Sequence, residues 1–219
     1  MVEMVNMFRL KVFPFLFITV ILILNACVPL FYDVKVNGFT GGSPVIHNEK
    51  NIFVFKNEKA INPLIEDEIG EKIKVALKMK GYIPIEQWSD ADYVLLFNYG
   101  IDQGNTYSSS YSYGGTRLNT YTGQLEPTTN VGSSTETIYN RQLLLRLFEI
   151  KEFSEESKPV WIGEVNSRGS SSDLREVIDY LIVGAFEHFG TNTGKQIHHR
   201  YLSIDNPLNK LEKPTKSVE

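Results

Sequence analysis

Apolar residues recur at three- and four-residue spacing in two stretches of the chain. Ile65, Ile69, Ile73, Ala76 and Leu77 form the first stripe, the pattern of a helix with one buried face. Asn62-Pro63 ahead of it is a helix start, with Asn as N-cap and Pro at the first helical position. Glu66, Asp67 and Glu68 occupy the early turns, where the helix dipole favours negative charge. Lys74, Lys78 and Lys80 sit near the end, and Gly81 is a natural stop. The second stripe is Leu174, Val177, Ile178, Leu181, Ile182, Ala185, Phe186 and Phe189, with Ser172 or Asp173 as cap and Gly190 as terminator.

Elsewhere the period is two. Phe31 to Phe39 reads as a strand with Phe31, Val34 and Val36 inward, and Ile52 to Phe55 as a short buried strand. Tyr93, Leu95, Phe97, Tyr99 and Ile101 alternate with Val94, Leu96 and Asn98. That strand starts apolar on both faces, which predicts a central position. With Ile52–Phe55 and the first helix it makes a β-α-β unit, whose crossover should be right-handed. Glu136–Glu149 and Pro159–Asn166 complete the strands. The order β-β-α-β-β-β-α predicts an α+β two-layer sandwich, with a mixed or antiparallel sheet of about 4–5 strands and two helices on one face.

Residues 103–135 break this pattern. Gly, Ser, Thr and Asn supply 21 of the 33 residues, and only Arg117 and Glu126 are charged. The segment is either a floppy loop or an extended hairpin. Continuing the odd-numbered face of the preceding strand places Tyr107, Tyr111 and Tyr113 on one side, with Gly114-Gly115 as the turn. Tyrosine among Ser, Gly and Asn is the composition of adaptable binding loops. Tyr107, Tyr111, Tyr113 and Tyr121 are therefore a candidate contact surface for a protein, a glycan or a sister subunit; the alternative is a solvent-exposed variable loop. Residues 191–219 are polar, with Pro207 and Pro214, and are expected to fray from the domain as a tail.

The N-terminus has its own logic. Arg9 and Lys11 precede an uncharged run from Val12 to Leu24. That run is short for a membrane span, which needs about 20 apolar residues, but suits the apolar core of a secretion signal. It ends in Leu24-Asn25-Ala26-Cys27, which resembles the lipobox of bacterial lipoproteins. The resemblance implies cleavage of residues 1–26 and acylation of the Cys27 thiol, the side chain nucleophilic enough for thioether formation. The lipid bilayer is then the first partner, reached through acylated Cys27. Val28 stands where an aspartate would imply inner-membrane retention, which favours the outer membrane facing the periplasm. The alternatives are an uncleaved anchor helix over Val12–Tyr32, weakened by Pro14 and Pro29, and a lone buried cysteine.

Charge and composition narrow the chemistry. The chain has 219 residues, a net charge of -4 and 42% hydrophobic residues, enough for a packed core. The acidic balance argues against nucleic acid, which asks for a basic face. One cysteine excludes an internal disulfide and a thiolate zinc site. The histidines are His47, His188, His198 and His199. The adjacent pair suits surface exposure better than chelation, so neither a metal nor a cofactor is expected. No Gly-x-Ser-x-Gly elbow occurs. A Ser-His-Asp site using His188 and Asp179 stays open as a minor alternative. Trp161 is either a ligand-stacking residue or, more simply, a core aromatic.

The lipobox is followed by Lys80-Gly81-Tyr82 at the helix end, Ala91-Asp92-Tyr93-Val94-Leu95, the glycine-rich excursion, the apolar strand Leu143–Ile150, Val160-Trp161-Ile162-Gly163 and a closing amphipathic helix. In this order, over residues 27–190, they resemble the bacterial lipoproteins grouped as domain-of-unknown-function family 4136. The resemblance implies an envelope location and carries no catalytic residues. The expectation is a non-enzymatic interaction or assembly module, with a carrier of small apolar or lipid ligands as the alternative and a periplasmic hydrolase behind it.

Overall fold

The first helix, α1 (Pro63–Met79), starts and stops as its ends dictate. Asn62 is extended and its side chain accepts from the Ile65 N–H at 3.3 Å. Beyond the helix, the Lys80, Gly81 and Tyr82 amides return to carbonyls of the last turn. Ile69, Ile73, Ala76 and Leu77 are buried on its inner face. These positions come from a computed structural model that describes residues 31–41, 49–120, 124–153, 157–203 and 206–212. The chain divides into two compact units, Met1–Phe31 and Tyr32–Glu219. The signal segment 1–26 and Cys27 lie outside the described residues.

The strands are β1 (Phe31–Thr40), β2 (Asn51–Phe55), β3 (Ile83–Ile85), β4 (Tyr93–Ile101), β5 (Asn105–Leu118), β6 (Leu125–Glu149), β7 (Trp161–Gly169) and β8 (Ile197–Leu202). The second helix, α2 (Ile178–Glu187), lies between β7 and β8. The sheet order is β3-β2-β4-β6-β7-β1-β8, and β5 pairs off this path with the far part of β6. β2 runs parallel to both β3 and β4, while β4–β6, β6–β7 and β7–β1 are antiparallel.

The expected sheet of about 4–5 strands is therefore corrected: eight strands form one mixed sheet, and the chain is mostly β with two helices. Two strands, β3 and β8, escaped the sequence pattern for separate reasons, while β5 is the hairpin that stood as one of two readings of residues 103–135. β3 has three residues, too few to show a period. In β5, Tyr107, Tyr111 and Tyr113 recur at even spacing among Ser and Gly, and the extended hairpin rather than a floppy loop is what forms. β8, Ile197–Leu202, has one fully buried position, Tyr201, so its composition reads as a polar tail. The tail expected at 191–219 is accordingly an ordered segment for much of its length. After β8, a 3-10 turn at Pro207–Glu212 buries Leu208 and Leu211 against α2.

One sheet face holds the core. Opposed residues fall on the same side of a sheet, so the registers align Val54, Leu95, Leu147 and Trp161 in one row. Phe97, Leu145, Gly163 and Gly38 make the next. Both helices contribute to the same buried cluster. Gly163 is needed because the Trp161 ring lies over it, and a Cβ there would stand 2.3 Å from the ring edge. Trp161 is fully buried, and its indole N–H donates to the Thr191 carbonyl at 3.1 Å.

Candidate functional site

β6 is 25 residues long, and β7 accompanies it only as far as the Tyr139–Gly169 pair. Beyond that point residues 125–138 pair with β5 alone. At about 3.4 Å per residue, this two-stranded arm reaches some 45 Å past the body of the sheet. Past the Leu118–Leu125 pair the Asn119 amide donates to the Gln124 carbonyl at 2.8 Å. Gly114 and Gly115 are paired with Thr129 and Thr128 inside the ladder, so the turn expected at Gly114-Gly115 is displaced toward the tip.

The faces of the arm are set by a bulge. Ile101 opposes Arg141, and Asn105 opposes Ile138. Three residues, 102–104, thus face two, 139 and 140. An extra residue flips the alternation. The Asp102 carboxylate clasps the bulge: it accepts from the Gly104 amide at 3.0 Å, the Asn140 amide at 2.9 Å and the Asn140 side chain at 2.6 Å. These bonds, led by the Asn140 amide, hold its carboxyl below the usual aspartate range. Gly104 takes φ +78, where a side chain would be strained. Tyr107, Tyr111 and Tyr113 do share one side, but the flip puts them on the side opposite the core row of β4. The expectation that they continue the odd-numbered face of β4 is corrected.

On that side Tyr111 and Tyr113 stack at 6.3 Å, and Tyr107, Tyr111 and Tyr113 are each at least half exposed. Tyr121, the fourth candidate, lies outside the described residues. Arg168 on β7 joins the row at its base, donating to the Tyr107 hydroxyl at 2.9 Å and lying 5.6 Å from its ring centroid. The opposite face of the arm carries hydroxyl pairs, Thr106–Thr137 at 3.0 Å among them. Two-stranded ribbons are marginal in water on their own, and among the described residues no strand pairs with either outer edge of this one.

The tyrosine side continues onto the open face of the sheet. By register, Gln142 and Asn166 follow, then Asn98, Leu144 and Glu164. These residues line a shallow concavity of about 350 Å³. The row after it is Phe55, Leu96, Arg146, Ile162 and Phe39, and its end members are 43% and 47% exposed. No described helix covers this row. The sequence offered one signal for it, the apolar residues on both faces of β4; Arg168 gave none.

The other candidates separate. Asp179 meets Lys72 at 2.8 Å, while His188 meets His199 at 2.9 Å between their Nε2 atoms. The structure does not bring His188 and Asp179 together as a triad. Burial, then the neighbouring His199, holds His188 below the usual histidine range. His199 is buried more deeply than an exposed pair would be, at 23% side-chain exposure, whereas His198 faces solvent. His47 lies outside the described residues. Among those residues, no helix is long and apolar enough to cross a membrane.

The sequence profile of a domain of unknown function, DUF4136, matches residues 39–189. No curated protein matches the chain. Among solved structures, a PDZ domain protein from Parabacteroides distasonis is 15% identical with a TM-score of 0.44, the alignment covering 78% of this chain and 39% of that one. The PelC dodecamer from Paraburkholderia phytofirmans is 14% identical with a TM-score of 0.41, covering 73% of this chain and 99% of that one. The chain thus spans well under half the length of the first of these. The profile takes in most of the sheet and both helices, and the chain belongs to the DUF4136 family of domains of unknown function.

Proposed function

We propose that this chain is a membrane-anchored bacterial envelope lipoprotein whose domain is a non-enzymatic interaction or assembly module, meeting its partner through the β5–β6 arm. The observation that carries the reading is the arm itself: a ribbon with two open edges and an exposed tyrosine row. Open edges invite a further strand, with main-chain hydrogen bonds supplying affinity and side chains supplying selectivity. With only Arg117 and Glu126 charged over 103–135, little repels an extended, weakly charged polypeptide, including the arm of a second copy. The anchor rests on Arg9 and Lys11, the uncharged run and Leu24–Cys27; Val28 after the cysteine favours the outer membrane.

The carrier reading needs room between sheet and helices. Leu95, Leu145, Val165, Leu181 and Ile182, which would line that space, are fully buried in one packed cluster. The hydrolase reading loses its acid, since Asp179 is engaged by Lys72. The test is deletion of Ser108–Asn130 from the membrane-bound protein, followed by crosslinking. The shortened chain should keep its cooperative unfolding and lose the crosslinked species. Recovery of the same species would refute the arm as contact site.

A further inference from the structure

His188 ends α2, and His199 sits in β8 at the sheet edge beside it. Their Nε2 atoms face each other at 2.9 Å, and the rings are tilted by 38° with centroids 5.1 Å apart. On the far side of the His199 ring, Glu187 Oε2 stands 3.3 Å from Nδ1. The same oxygen accepts from the Tyr201 hydroxyl at 3.0 Å, and the Tyr201 ring stacks under His199 at 5.7 Å.

This arrangement has a chemical consequence. A carboxylate beside Nδ1 favours the tautomer with the proton there. The lone pair of His199 Nε2 then points at His188 Nε2. With nothing between them, His188 must keep its own Nε2 proton and donate it. With its proton on Nδ1 instead, two lone pairs oppose each other with no proton between them, an arrangement that a borderline cation relieves. Two imidazole nitrogens held about 2.0–2.1 Å from one tetrahedral zinc ion stand about 3.3 Å apart. From the observed 2.9 Å the rings must part by a few tenths of an ångström and swing so that both Nε2 atoms aim at a common point beside the line joining them. Glu187, His188 and His199 each offer a donor atom within 4.8 Å of the others.

We propose that His188 and His199 bind a divalent zinc-type ion through their Nε2 atoms. Glu187 positions His199 from behind, as a carboxylate does for metal-bound imidazoles, and water completes the coordination. The ion would tie the C-terminus of α2 to the edge strand β8. Lys80, at the end of α1, faces His188, and Lys210 lies 4.6 Å from the Tyr201 ring centroid. Burial holds the Lys80 ammonium below the usual lysine range, which lessens its opposition to a bound ion. Nothing in the arm hypothesis depends on this site.

The test is titration of zinc chloride into the full, untagged chain in detergent, followed by calorimetry. One ion per chain should bind, with affinity lowered at least about tenfold in His188→Gln and in His199→Gln, and about tenfold in Glu187→Gln. His198→Gln, whose side chain faces away, should bind as the parent does. On the unsubstituted chain, imidazole nitrogen shifts in NMR spectra should move at His188 and His199 Nε2 and not at His198, a readout that survives any folding defect in the variants. Absence of saturable binding up to about 1 mM zinc, the weak end of specific affinity, would overturn the proposal. So would undiminished binding in both histidine variants, or shifts confined to other residues.

Discussion

Single residues decide how tightly the body of this domain closes. Gly163 lies beneath the fully buried Trp161 ring, whose nearest edge would be 2.3 Å from an added Cβ. The ring cannot retreat, because its N–H is engaged by the Thr191 carbonyl and Phe189 packs on it at 4.7 Å. Gly163→Ala should therefore lower stability by about 1–3 kcal/mol, the usual range for an overfilled core. In urea unfolding the midpoint should fall with the slope unchanged. An unchanged midpoint would mean that the tryptophan moves freely, contrary to the packing described. Position 163 also shows how little a residue type announces in the sequence: Trp161-Ile162-Gly163 reads as three residues of a strand, and nothing local says that one covers another.

At the scale of elements, the arm and the body differ in what holds them. Residues 143–147 of β6 are flanked by strands on both sides and carry Leu143, Leu145 and Leu147, all buried. Residues 125–138 of the same strand have one neighbour, and Val131 and Leu125 are 75% and 69% exposed. Amides of 105–118 and 125–138 should exchange with solvent by local opening, while those of 94–96 and 143–147, with strands on both sides, exchange near the global limit. Equal protection in the isolated chain would show that something already covers the arm. The helices were readable from sequence because a helix declares itself locally, through a cap, a 3.6-residue stripe and a stop. α1 begins at the expected Asn62-Pro63. In α2 the expected cap at Asp173 is used, accepting from the Arg175 N–H at 2.8 Å, but it starts a 3-10 turn, and the α-helix begins at Ile178.

For the whole molecule, the proposal stands on two features at opposite ends of the argument, an N-terminal lipid attachment and a projecting ribbon. They can be tested apart. Metabolic labelling with a palmitate analogue should mark the intact chain and leave Cys27→Ala unlabelled. Label on neither would remove the anchor while leaving the arm experiment unaffected, since that ribbon belongs to residues 105–138. Two or more acyl chains would make the attachment stable, at about 0.8 kcal/mol per buried CH₂.

The sequence by itself determined the two helices, the central place of β4, the family, and the segregation of an uncharged Tyr- and Ser-rich stretch from the apolar strands. All of these rest on composition or on periods of a few residues, which a chain carries along its length. The tertiary structure alone decided the strand count, the face the tyrosines occupy and the meeting of His188 with His199. β3 and β8 are strands because neighbours pair with them, not because their own residues demand it. The tyrosine side turned on one extra residue at Asp102–Gly104, and a period of two inverts wholly on a shift of one. His188 and His199 meet because α2 ends beside β8, and no spacing within the sequence encodes the distance between an α-helix and a sheet edge.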